Sequence, residues 1–245
     1  MSYRGYIPLM CLAAMEQVRN KQRQNLDPTI NILEIGIENG WTLMPLSFNL
    51  IKLDIPFKFT AVDIRIKEGV AEQCRSTLGI PHKVELYEIN SIEFLEKTLI
   101  QAPKTRYDII LVDGDHNYET VKKECELLSN FVSKDTVMIV DDFSGKYAHK
   151  DLYYADSLGY ENNKLATPSP SNRDVNSPQG VAPAIQEYVT SKPELGIFAW
   201  PDTTPLGIIN KRSAVWKNVI EPIVELNLSI ADVMQKLKMI AGEKL

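Results

Sequence analysis

Two short apolar runs that each end abruptly in carboxylates restrict this chain more than any other feature. The first, Tyr107-Asp108-Ile109-Ile110-Leu111-Val112, stops at Asp113-Gly114-Asp115-His116. The second, Thr136-Val137-Met138-Ile139-Val140, stops at Asp141-Asp142-Phe143. Runs rich in β-branched residues, without polar alternation, are the pattern of strands buried on both faces of a parallel sheet. Ligands of such sheets bind beyond the carboxyl ends of the strands. Asp113, Asp115, His116, Asp141 and Asp142 are therefore expected to converge on one site. Hard oxygen donors beside a nitrogen base suit a divalent cation and a hydroxyl to be activated.

The rest of the chain supplies the other units of that sheet. Residues 5–24 have helical spacing of apolar residues, closed by Asp27-Pro28. Strands are expected at Ile30 to Glu34, Phe57 to Val62 and Val84 to Glu88, each followed by a helix (about 42–53, 67–78 and 92–99). A helix over 118–131 separates the two acid-ended strands. Repeated strand-helix units imply an α/β, doubly wound, mostly parallel sheet. After Phe143 the pattern breaks. Residues 144–182 carry Tyr147, Tyr153, Tyr154 and Tyr160 and a Pro/Ser/Asn-rich stretch, which, directly after Asp141-Asp142, points to a lid inserted over the site. Its tyrosines can stack on a sugar or aromatic acceptor or simply pack the loop. A helix near 182–190 then precedes an antiparallel strand pair at 196–200 and 206–210. A terminal amphipathic helix, broken near Asn227, fills 213–241; its apolar stripe is expected to join the core, with a dimer face as the other use. The expected organisation is a single domain: an N-terminal helix (1–27), a cofactor-binding core (28–143), the lid (144–182), the last helix and strands (183–211) and a C-terminal helical extension (212–245).

Composition excludes some partners. A net charge of -5 argues against nucleic acid, whose binders carry a basic field. No window is long and apolar enough to span a membrane. Cys11, Cys74 and Cys125 lack metal-ligand spacing and fit reduced thiols of a cytoplasmic protein.

The first turn, Glu34-Ile35-Gly36-Ile37-Glu38-Asn39-Gly40, puts glycines where the backbone must turn tightly beside a ligand. It is not the G-x-G-x-x-G dinucleotide fingerprint. A pyrophosphate there would meet Glu34 and Glu38 and be repelled, whereas a cofactor with a sulfonium, a free amino group and no phosphate would be attracted. S-adenosylmethionine is such a cofactor. Asp63, ending the second strand, can accept from both ribose hydroxyls, and Asn90-Ser91, after the third, can bond the adenine.

Glu34-x-Gly36-x-x-x-Gly40, Ala61-Val62-Asp63, Val112-Asp113-Gly114-Asp115-His116-x-Tyr118-Glu119 and Ile139-Val140-Asp141-Asp142-Phe143 together resemble class I S-adenosylmethionine-dependent methyltransferases, which have a Rossmann-like fold. The nearer likeness, over roughly residues 28–210, is to the metal-dependent O-methyltransferases that modify sugars of macrolide and aminocoumarin antibiotics, and to relatives near cephalosporin hydroxylase. The resemblance implies magnesium ligands at Asp113, Asp141 and Asp142, a general base at Asp115 or His116, and a post-lid helix at Gly180 to Ile185. Glu38, where many class I enzymes have a glycine, and the 213–245 tail depart from the pattern.

Together these residues lead to one expectation: methyl transfer from the sulfonium to a hydroxyl of a small, sugar-like acceptor. Glu34, Gly36, Gly40, Asp63, Ser91 and Asp113 would place the donor. The alternatives are a metal-independent methyltransferase acting on a nitrogen or a macromolecule, a non-catalytic cofactor-binding protein, or a nucleotide-sugar or dinucleotide enzyme on the same sheet.

Overall fold

The computed structural model describes residues 6–77, 83–152, 177–200, 206–226 and 228–241. Its strands are β1 (Ile30–Ile35), β2 (Phe57–Asp63), β3 (Val84–Glu88), β4 (Tyr107–Val112), β5 (Val132–Val140), β6 (Gly196–Ala199) and β7 (Gly207–Asn210). They form one sheet in the order β3-β2-β1-β4-β5-β7-β6, parallel from β3 through β5, with β7 antiparallel to both β5 and β6. This is the doubly wound, mostly parallel sheet with the antiparallel ending that the alternation of elements implies.

Side chains alternate across a strand, so each buried strand feeds two cores. Ile109 and Leu111 of β4 join Ile30, Ile32, Val137, Ile139 and Ile208 on one face. That face is covered by α1 (Ile7–Arg23), α2 (Leu43–Lys52), α3 (Glu68–Ser76) and the C-terminal helices. Ile110 and Val112 join Leu33, Ile35, Met138 and Val140 on the other, under α4 (Ser91–Gln101), α5 (Tyr118–Leu128) and α6 (Val181–Thr190).

One strand starts earlier than the sequence suggests, and the C-terminal helix breaks close to where it was expected to. β5 begins at Val132 rather than near Thr136, because Val132 pairs with Tyr107 before an irregularity shifts the register to Ile109–Val137. The expected 213–241 helix is a π-helical turn (Trp216–Ile220), α7 (Glu221–Glu225) and α8 (Ile230–Ala241). Pro222, in the first turn of α7, has no N–H for an intrahelical bond, and a widened turn precedes it. The expected break residue, Asn227, lies outside the described residues, as do the lid tyrosines Tyr153, Tyr154 and Tyr160. The apolar stripe is used inside the chain: Val219, Ile223, Val233 and Leu237 are buried in the core cluster that includes α1. No helix among the described residues is long and apolar enough to cross a membrane.

Candidate active site

The sheet order reverses between β1 and β4, since the chain runs outward from β1 to β3 and then returns to β1's other side. A crevice at such a reversal is where doubly wound sheets bind ligands. Register makes the edge there explicit. Val62, Ile35, Val112 and Val140 form one row across four strands. The next residue of each is Asp63, Gly36, Asp113 and Asp141, so three aspartates and one glycine stand side by side at the carboxyl edge.

Gly36 has φ +88°, and a Cβ there would lie 1.9 Å from the Asp113 carbonyl oxygen. Its side-chain hydrogen lets the ends of β1 and β4 touch. Gly40, at φ +69°, faces Val70 of α3 and Met44. The turn between the two glycines is organised by Asp63. Its Oδ2 accepts from the amides of Ile37 (2.7 Å) and Glu38 (3.0 Å), and its Oδ1 accepts from the amide of Arg65 (2.9 Å). A carboxylate has about four acceptor sites. Three are taken, which leaves Asp63 room for one further donor where the sequence suggested two ribose hydroxyls.

Glu34 is buried within β1, opposite Ala61 and Leu111, rather than at the tip of the turn. Glu38 is half-exposed, 3.7 Å from Lys67 Nζ, and its Oε1 accepts from the Asn39 side-chain Nδ2. Lys67 therefore offsets much of the attraction Glu38 would exert on a sulfonium. Asn90 caps α4, its side chain accepting from the amides of Ile92 and Glu93. Ser91 donates its hydroxyl to Glu124 of α5 at 2.5 Å. Glu124 is a site-adjacent acid that sequence reasoning missed; within the helix only its position one turn from Thr120 and Val121 signalled that it faces inward.

The acids beyond β4 and β5 divide into two groups. The strand pattern alone would send Asp141 and Asp142 to opposite sides. Asp142 instead takes φ +52°, and its amide donates to Asp141 Oδ1. That bend brings Asp142 Oδ2 to 2.8 Å from His116 Nδ1, while His116 Nε2 lies 3.5 Å from Asp113 Oδ1. His116 is buried between the two carboxylates. Asp115 points elsewhere. Its Oδ2 accepts from Asn117 Nδ2 and from Thr120 Oγ1 (2.9 Å), a network that closes the start of α5, where Asn117 is the cap. Asp113, His116 and Asp142 are thus gathered, and Asp115 serves the helix.

Asp151 ties this region to the segment after β5: its Oδ1 accepts from the amides of Tyr118 (2.9 Å) and Gly180 (2.6 Å). Residues at the starts of α5 and α6 are thereby held by one carboxylate.

Residues 33–143 match a family model described as a methyltransferase domain. No curated protein matches the chain by sequence. Among solved structures, the chain is similar to apo CalS11, a TDP-rhamnose 3'-O-methyltransferase of calicheamicin biosynthesis, at 15% identity and a TM-score of 0.50, covering 82% of this chain and 77% of that one. It is also similar to the MycE methyltransferase of the mycinamycin pathway in complex with Mg, SAH and mycinamycin VI, at 16% identity and a TM-score of 0.44, covering 80% and 47%. A third similar structure is an O-methyltransferase from Bacillus cereus in complex with SAH, at 15% identity and a TM-score of 0.44, covering 80% and 78%. The chain spans about half the length of the MycE chain. At these identities the structural likeness is one of fold. With the doubly wound sheet and the acid row at its switch point, residues 33–143 are similar to a methyltransferase domain.

Proposed function

We propose that this chain transfers the methyl group of S-adenosylmethionine to a hydroxyl of a small sugar-like or glycosylated metabolite. The observation that carries the reading is His116 held between Asp113 and Asp142 at the sheet edge where a cofactor would lie. An ionised carboxylate only accepts hydrogen bonds. Asp142 therefore favours the proton on His116 Nδ1 and leaves Nε2, a buried atom 3.5 Å from Asp113 Oδ1, as the nitrogen to receive one. In the reaction the acceptor oxygen forms its bond to the methyl carbon as the carbon–sulfur bond breaks. Its proton passes to His116 Nε2, and S-adenosylhomocysteine leaves. Asp113 stabilises the imidazolium so formed. Holding donor and acceptor in line can remove on the order of 7–11 kcal/mol from the barrier.

Magnesium fits the chemistry of the donors. Asp113 and Asp142 bring two hard carboxylates to opposite sides of one small ring, with Asp141 adjoining. These three residues would hold the ion, which when bound would orient the acceptor hydroxyl and lower its pKa. One observation favours the metal-independent alternative: among the described residues no group of three or more His, Cys, Asp or Glu side chains is placed to hold a metal ion. A methyl-transfer assay with a panel of sugar acceptors, run with EDTA and again with added magnesium, separates the two. Turnover is expected to fall on chelation and return with magnesium. Turnover that survives EDTA, with Asp141→Asn and Asp142→Asn both near the parental rate, selects the metal-free reaction.

The turn geometry gives a second expected result. Asp63→Ala removes the acceptor that orders the Ile37 and Glu38 amides and its one remaining site for ribose. S-adenosylhomocysteine binding should weaken by roughly 1–3 kcal/mol, the cost of lost charge-assisted hydrogen bonds. Unchanged affinity by calorimetry would move the ribose site elsewhere. The buried, unbridged thiols of Cys11, Cys74 and Cys125 support a cytoplasmic location.

A further inference from the structure

Glu124 is fully buried on α5, and the reaction scheme gives it no task. Its Oε1 accepts the 2.5 Å hydrogen bond from Ser91, the first residue of α4. Its Oε2 has no hydrogen-bond partner among the described residues. Burial pushes the carboxyl up to about 8, against the lowering effect of the Ser91 hydrogen bond. A carboxyl buried with one partner is an expensive group, and an apolar side chain of similar volume would often pack as well or better. What distinguishes Glu124 from such a side chain is what it does to Ser91.

Ser91 stands at the carboxyl edge of the sheet. β3 ends at Glu88, in register with Asp63, and Ile89-Asn90 leads straight into α4. The Asn90 side-chain oxygen is already taken by two helix amides. A serine hydroxyl has one donor and two acceptor lone pairs. Glu124 takes the donor, so the Ser91 oxygen keeps only acceptor capacity for any further partner. In either charge state Oε1 can receive that proton: the carboxylate accepts, and the neutral acid accepts when its own proton is on Oε2. An oxygen with acceptor capacity alone favours an N–H donor and disfavours a carbonyl. The 6-amino group of adenine is such a donor, and the 6-keto group of a hypoxanthine is not.

We propose that Glu124 is a positioning residue that makes the Ser91 hydroxyl a dedicated acceptor and thereby sets the cofactor site's preference for a 6-aminopurine. This rests on the S-adenosylmethionine reading of the site.

Calorimetric titration with S-adenosylhomocysteine and S-inosylhomocysteine tests it, with thermal melting of each variant to confirm folding. The parent is expected to prefer the adenosyl ligand by about 10-fold or more, the range for a site whose polar group would otherwise be left unpaired. Ser91→Ala and Glu124→Leu are each expected to bring the ratio toward unity. Glu124→Gln, which keeps a carbonyl oxygen for Ser91, is expected to retain it. A purely structural role would weaken both ligands alike and leave the ratio untouched. A folded Glu124→Leu variant with the parental ratio overturns the inference while the cofactor reading stands. If that variant does not fold, a parental ratio in Ser91→Ala overturns it equally. A parent that binds neither ligand removes the cofactor reading and the inference with it.

Discussion

His116→Ala is expected to lower turnover by roughly 10²–10⁴-fold, the loss typical of a removed general base, with S-adenosylhomocysteine affinity close to parental. Asp115→Asn is expected to leave the rate near parental. The two residues are adjacent, and their sequence positions alone make either a candidate base. Their orientations favour His116. His116 lies between Asp113 and Asp142, with Nδ1 bonded to Asp142, the arrangement that fixes an imidazole's tautomer and stabilises its protonated form. Asp115 accepts from Asn117 and Thr120 at the start of α5. Its replacement should therefore appear in stability, at about 0.5–1 kcal/mol in urea denaturation, as lost helix N-terminal hydrogen bonding does. Single-turnover rates and denaturation curves for both variants check the pair of outcomes. A larger rate loss in Asp115→Asn than in His116→Ala reverses the assignment.

Gly36→Ala is expected to destabilise the fold by about 2–5 kcal/mol, combining a left-handed backbone with overpacking. The methyl group would meet the Asp113 carbonyl carbon and oxygen and the Gly114 Cα, all backbone atoms of β4's end. No flexible side chain is available to yield, so the contact between β1 and β4 must open. That opening lies at the candidate site, and cofactor binding should be lost along with stability. Gly69→Ala is the control. Gly69 lies within α3, and a Cβ there meets nothing within 4 Å. At the second residue of that helix, the substitution should be neutral or stabilise by less than the roughly 1 kcal/mol of an interior position. Equal effects of the two substitutions would show that close approach at Gly36 is not what its glycine is for.

Legibility from sequence followed the physics of each segment. β4 and the end of β5 were readable because burial on both faces removes polar residues, leaving runs that few other structures explain. The acid row was readable because those runs end in carboxylates and ends of parallel strands are aligned by pairing. The direction of each carboxylate was not readable. It depends on the left-handed turn at Asp142 and on hydrogen bonds reaching from Asp115 to Asn117 and Thr120. Asp63 was expected to give its oxygens to a ligand, yet backbone amides folded back from the first turn and from Arg65 take most of them. Glu124 was missed because a glutamate within a helix usually faces water. Only the packing of α5 against α4 shows this one turned inward. The C-terminal break expected near Asn227 falls between α7, which ends at Glu225, and α8, which begins at Ile230, while Pro222 is tolerated in the first turn of α7 after a widened turn.

The central claim is that the row at the β1–β4 switch point holds a phosphate-free, sulfonium-type cofactor and not a dinucleotide. Calorimetric titration of the purified chain with S-adenosylhomocysteine and, separately, with NAD tests it most directly. Saturable one-to-one binding of S-adenosylhomocysteine, with no measurable heat from NAD, is the predicted result. Binding of NAD as tightly as S-adenosylhomocysteine, or no binding of S-adenosylhomocysteine at all, contradicts it.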